Sequence, residues 1–120
     1  MLTNDHTAFR VRDLDRAVAF YTEKLGLKLL FRETDEEHGE AFAFLELDGG
    51  NLELLESLDK DMPPAPEPQP PYTPHLAIAT DDLDALAKTL GDKSVPILKG
   101  PMTIPGKVTW LYIADPDKNV

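Results

Sequence analysis

The chain contains no cysteine, so a disulfide framework, a thiol nucleophile and a zinc–thiolate site are all excluded. Positive charge is scarce: 12 lysines and arginines stand against 22 aspartates and glutamates, for a formal net charge of −10. That balance repels phosphates and argues against nucleic acid as a partner. No apolar run approaches the ~20 residues that span a bilayer, so no membrane partner is expected. The opening Met1-Leu2-Thr3-Asn4-Asp5 lacks a signal-peptide pattern, and the expectation is a soluble, cytoplasmic protein.

What the chain does have is repetition. The run H-T-A-F-R-V-R-D-L-D begins at His6, and H-L-A-I-A-T-D-D-L-D begins at His75. Asp13, Leu14 and Asp15 follow His6 at the offsets at which Asp82, Leu83 and Asp84 follow His75. In both copies a short apolar run starting with histidine passes into an Asp-Leu-Asp step and then a helical pattern. Such duplication implies paired modules before any single element is assigned. With 120 residues and 42% apolar content, the two modules have enough apolar surface to share a core.

In the first module, residues 6–11 alternate as a strand, and Asp13 or Asp15 is placed to cap a helix. Ala17, Val18, Phe20, Tyr21 and Leu25 fall mostly on one face of that helix, and Gly26 ends it. Strand-like runs follow at 27–33, 41–47 and 51–57. Asp48-Gly49-Gly50 joins the last two as a hairpin, because glycine takes positive φ without steric cost.

From Met62 to Pro74, seven of thirteen residues are proline, which removes amide donors and favours a stiff, extended segment. It lies where the repeat needs a connection, so it reads as a linker rather than as a ligand for proline-binding domains. The organisation expected is a first βαβββ module over 1–62, a linker over 63–74, and a second module over 75–120. In the second module the expectation is a strand at 75–80, a helix over about 82–90 stopped by Gly91, and strands at 95–99 and 107–114. Gly100 to Gly106 reads as loop, and Asp115-Pro116-Asp117-Lys118-Asn119 as the turn that matches Asp48-Gly49-Gly50. The repeat calls for a last strand after Val120, so the second module is expected to lack one. The fold class is α+β, with curved mixed sheets around a concave site.

Two histidines at matched positions invite a metal, since imidazole binds divalent transition ions through a ring nitrogen. Such sites often add a carboxylate. Glu53 sits in Asn51-Leu52-Glu53-Leu54-Leu55, where alternation places Leu52 and Leu54 on one face and Glu53 on the other. The spacing from His6 to Glu53, applied to His75, falls at position 122, where the repeat implies a fourth ligand. By themselves these residues leave open solvated surface positions or a metal site; matched placement in the two modules favours convergence of His6, Glu53 and His75, within one chain or across a dimer interface.

Nearly the whole chain resembles the vicinal-oxygen-chelate superfamily (glyoxalase, bleomycin resistance, dioxygenase), and within it the bacterial type of glyoxalase I, or lactoylglutathione lyase. The resemblance rests on H-T-A-F-R-V-R-D-L-D-R-A-V-A-F-Y-T-E-K-L-G-L-K-L-L for the first strand and helix. It rests also on N-L-E-L-L for the second-ligand strand, P-H-L-A-I-A for the third, and A-D-P-D-K-N-V for the approach to the fourth. It implies that His6, Glu53 and His75 are metal ligands, that Glu53 is also catalytic, and that Arg10 binds a substrate carboxylate. The implied cofactor is a divalent metal, nickel or zinc first, with cobalt or manganese as alternatives. The implied reaction isomerises a hemithioacetal of methylglyoxal and a thiol such as glutathione through an enediolate, with a carboxylate moving the proton. Activity is expected to depend on the position-122 carboxylate, so the 120-residue chain alone is expected to be largely inactive.

A homodimer is expected, because small modules bury little surface alone and a stiff linker favours exchange of modules between chains. The alternative is a metal-free, drug-sequestering binding protein of the bleomycin-resistance kind, for which the acidic charge suits a cationic ligand. Epimerases and extradiol dioxygenases of the same superfamily rank lower, the former usually carrying glutamine in place of Glu53 and the latter being longer.

Overall fold

A computed structural model describes residues 1–59 and 61–120. The first module runs β1 (His6–Arg10), α1 (Leu14–Ala19), β2 (Leu29–Asp35), β3 (Glu40–Leu45) and β4 (Asn51–Ser57). The second contributes α2 (Leu83–Asp92), β5 (Ile97–Ile104) and β6 (Val108–Ile113). The strands form a four-stranded sheet in the order β1-β4-β3-β2 and a two-stranded sheet of β5 and β6. Only β1 and β4 run parallel, so the first sheet is mixed and the fold is α+β.

Each helix begins on an aspartate of the repeated step. Asp13 Oδ1 accepts from Arg16 N at 3.2 Å, and Asp82 Oδ1 accepts from Ala85 N at 2.9 Å, each satisfying an amide that the helix leaves free. Beyond Ala19 the first helix widens into a π-helical turn, Phe20–Lys24. Leu25 N then bonds Phe20 O, and Gly26 at φ 74° ends the element as expected.

Alternation decides the faces of the first sheet. On β3, Ala41, Ala43 and Leu45 are buried, and on β4, Leu52 and Leu54 are buried, all on the side covered by α1. Leu14, Ala17, Phe20 and Tyr21 from the helix close over them. Leu90 and Val95 of the second module belong to the same cluster, with Leu76, Leu86 and Ile113 packed against it. The modules are therefore joined by a shared core as well as by the linker. Lys24 Nζ and Lys93 O, with Lys93 Nζ and Glu23 O, add reciprocal bonds of 2.7 Å across the join.

Three expectations for the second module are corrected. Residues 75–80 form no strand. In the first module β1 is paired along its length by β4, with His6 in register with Asn51. The spacing from His6 to His75 carries Asn51 onto Val120, and there Leu76 N donates to Val120 O at 3.1 Å. Among the described residues no further strand lies beside the segment, and an extended chain without a ladder partner is not a strand. Secondly, Gly91 does not end α2, which continues to Asp92; the left-handed residue is Ser94 at φ 60°. A glycine inside a helix costs only about 1 kcal/mol relative to alanine, which burial of Leu90 and Val95 outweighs. Thirdly, Gly100 to Ile104 is not loop but the second half of β5. Pro101 and Gly100 sit where the β5–β6 register shifts, between Lys99 and Met102. A Cβ at Gly100 would lie 2.9 Å from Trp110 O, so only glycine lets the ribbon close there.

Candidate functional site

Because β1 is parallel to β4 and in register, the side chains of His6, Ala8, Arg10, Asn51, Glu53 and Leu55 share the sheet face that α1 does not cover. Glu53 lies opposite Ala8, whose side chain is a single methyl, and this leaves room for the carboxylate to approach His6. His6 Nε2 and Glu53 Oε1 stand 3.6 Å apart, with Glu53 mostly shielded at 15% side-chain exposure. Sequence alternation placed Glu53 opposite Leu52 and Leu54, and the structure agrees.

The second nitrogen of His6 is also engaged. Nδ1 lies 2.6 Å from Asp5 Oδ2, and an ionised carboxylate can only accept, so Nδ1 carries the proton. In the neutral ring, Nε2 then presents its lone pair toward Glu53. His75 is arranged in the same way: its Nδ1 lies 2.9 Å from the carbonyl of Tyr72, again an acceptor only. An oxygen that holds the far ring nitrogen is the usual support of a metal-binding histidine. Asp5 was not singled out from the sequence; a carboxylate directly before a strand-initial histidine was the available signal.

The donor set fits a divalent cation in part. Two donors about 2.1 Å from one ion stand roughly 3–3.5 Å apart in octahedral or tetrahedral geometry, so the His6–Glu53 separation needs little movement. His75 does not join them. Its ring packs edge-on to Tyr112 at 5.6 Å, on the second sheet, and Tyr72 lies 4.9 Å from Tyr112. Among the described residues, no three histidine, aspartate or glutamate side chains gather as a metal site. His6 lies on β1 while His75 lies on the strandless segment 75–80, against Tyr112 of β6, so the three do not gather within one chain. That leaves the dimer form of the expected convergence. Arg10 is exposed, four residues along β1 from His6, or roughly 13 Å at strand rise. That distance suits the remote end of an extended ligand rather than its reacting end.

An aromatic surface adjoins His6. Its ring meets Phe44 edge-on at 5.3 Å, Phe44 stacks on Phe31 at 5.0 Å, and Phe42 lies 6.0 Å from Phe44. Phe31 is 47% exposed, so this face offers an apolar floor beside the polar pair. A second concavity of about 640 Å³ lies between residues 75–80, α2 and β6, with His75 on its wall and Leu76, Leu86 and Trp110 among its lining.

Outside the site, the phenol of Tyr21 donates to buried Asp115 at 2.9 Å. Burial first, then the negative charge of Asp115 and the hydrogen bond to it, with Asp117 adding to the charge, push the phenol well above its ordinary value of 10.0. A raised folded-state pKa means the unfolded phenol loses its proton first. Stability from this group is present below pH 10 and is expected to fall as pH rises above it. Urea unfolding at pH 9 and pH 11 checks this: the parent should lose more stability between the two than Tyr21→Phe does.

Comparison with known proteins places these features. Residues 3–120 match the family described as the glyoxalase/bleomycin resistance protein/dioxygenase superfamily. The chain is 28% identical over 113 residues to a probable lactoylglutathione lyase of Vibrio cholerae, covering 93% of this chain and 82% of that protein. It is 32% identical over 115 residues to the metallothiol transferase FosB of Lysinibacillus sphaericus, covering 94% and 74%. Among solved structures, glyoxalase I of Leishmania major, described as trypanothione-dependent, superposes with a TM-score of 0.72 at 30% identity, covering 95% of this chain and 79% of that one. The repeat, the mixed sheet and the match over residues 3–120 agree, and the chain belongs to the glyoxalase/bleomycin resistance protein/dioxygenase superfamily.

Proposed function

We propose that the protein is a metal-dependent lyase of glyoxalase I type, acting on the hemithioacetal that methylglyoxal forms with glutathione or another thiol. The observation that carries this reading is the His6–Glu53 pair, 3.6 Å apart on an open sheet face, with the far nitrogen of His6 held by Asp5. The names of the relatives, lactoylglutathione lyase and metallothiol transferase, support thiol-linked chemistry. His6 and Glu53 would hold a divalent ion, nickel or zinc first, cobalt or manganese otherwise. His75 would complete the set from a second copy in a homodimer, since within one chain it stands apart from the pair, against Tyr112 of β6. We place the protein in the cytoplasm.

When bound, the ion supplies Lewis-acid stabilisation of negative charge developing on a substrate oxygen. A carboxylate, Glu53 or the one the repeat implies at position 122, takes the proton from the thiol-bearing carbon and delivers it to the neighbouring carbon. The hydroxyl proton of the hemithioacetal passes to the former keto oxygen, so the product is a thioester with an adjacent carbinol. Arg10 pairs with a carboxylate of the thiol at the far end of the face.

The test is thioester formation from methylglyoxal and glutathione with nickel and with zinc. A glutamate placed at position 122 by C-terminal extension should raise turnover about 10²–10⁴-fold, the contribution of a positioned base. No turnover from the extended, metal-loaded protein with glutathione or another thiol would end the lyase reading. The aromatic floor of Phe31, Phe42 and Phe44 favours one second reading, a metal-free binder of small apolar cations. Metal analysis of untagged protein separates the two, because the binder carries no stoichiometric ion.

A further inference from the structure

Asp115 and Asp117 are 4% and 5% exposed, and neither belongs to the site above. Asp115 Oδ1 accepts from the backbone N–H groups of Asp117 and Asn119 at 2.8 and 2.9 Å. Its Oδ2 accepts from the Tyr21 hydroxyl and from the side-chain amide of Asn119, both at 2.9 Å. That amide also donates to the carbonyl of Arg10 on β1 at 3.0 Å. The next residue, Val120, accepts from Leu76 N, one residue from His75. One buried carboxylate therefore holds an asparagine that touches the strand of His6 and whose neighbour touches the segment of His75. Asp117 adds a second tie, its Oδ1 accepting from Arg12 N at 3.2 Å and Arg16 Nη2 at 3.0 Å.

The turn itself does not require a buried acid. In the first module Gly49 at φ 80° occupies the place that Lys118 at φ 68° holds in the second. Glu46, the counterpart of Asp115, is exposed there, and Gly50 stands in place of Asn119. A buried carboxylate is costly unless its lone pairs are satisfied, and here four donors satisfy them. What distinguishes the second turn is its contact with the other module.

We propose that Asp115, acting through Asn119, is a positioning residue that sets the placement of β1 relative to the segment 75–80, and so of His6 and Glu53 relative to His75. Its bearing on a metal rests on the reading of the site given above. In a two-fold dimer each chain supplies His6 and Glu53 to one site and His75 to the other, so the disposition of modules within a chain decides whether either site closes.

The absence of cysteine allows a direct test. Nitroxides on Thr34→Cys and Lys107→Cys, both exposed positions, report the distance between modules by pulsed electron resonance, with labelled chains diluted into unlabelled ones. The parent and Tyr21→Phe, which leaves the Asn119 bridge intact, should give one narrow distribution. Asn119→Ala and Asp115→Asn should broaden or shift it, and Asn119→Ala should also bind nickel about 10–100-fold more weakly, as expected when a group supporting ligands is lost. An Asn119→Ala distribution matching the parent overturns the proposal. A parent that binds neither nickel nor zinc overturns the metal reading alone, since the distance measurement still decides the role of Asp115.

Discussion

In the protein extended to carry a glutamate at position 122, Glu53→Gln is expected to lower thioester formation by about 10²–10⁴-fold, because it removes one of the two carboxylates that can move the proton while keeping the shape of the side chain. The neutral amide is also a poorer partner for a divalent cation, so nickel binding measured by calorimetry should weaken in the same variant. The fold should survive. Glu53 points away from Leu52 and Leu54, and its carboxylate faces His6 rather than a core group. Thermal unfolding near that of the parent, with turnover lost, is the pattern that assigns Glu53 to chemistry. Turnover equal to the parent would remove Glu53 from the mechanism, and with it the observation on which the lyase reading stands.

The largest stability effect is expected one residue further along the same strand. Leu54 is fully buried, sits in β4 between β1 and β3, and pairs in register with Phe9 and Ala43. Leu54→Ala should destabilise the chain by about 2–5 kcal/mol, the transfer loss plus the cavity left in a packed core. Against a typical total of about 5–15 kcal/mol, that is enough to unfold much of the protein at moderate temperature. Urea denaturation should show a lower midpoint with an unchanged slope. Leu55→Ala, on the open face and only partly buried, should cost much less. The contrast between adjacent leucines tests the assignment of faces directly: similar losses would mean that the alternation along β4 is wrong.

Several features were legible without coordinates. The duplication from His6 and His75 announced paired modules, and the Asp-Leu-Asp step marked both helix starts, where Asp13 and Asp82 indeed cap. The strand Asn51–Ser57 appeared with its bounds because a glycine turn precedes it and period-two alternation runs through it. The second module was read less well. Gly100 and Pro101 suggest a loop to any local reading, yet a two-stranded ribbon absorbs them as a bulge. Residues 75–80 have the pattern of a strand, but pattern supplies only one half of a ladder.

The sequence by itself determined which residues alternate to the open face, which helices begin where, and which side chains have the chemistry to hold an ion. Those properties depend on neighbours within a few positions, through strand pleat, helix period and capping. Only the tertiary structure decided that Glu53 meets His6 and that His75 lies apart from both, beside Tyr112 of β6. It alone showed that Asp115, read from the sequence as part of a turn, is buried between Tyr21 and Asn119. Such outcomes depend on strand register and on the packing of one module against the other, which bring together residues 37 to 94 positions apart; no local pattern carries that information.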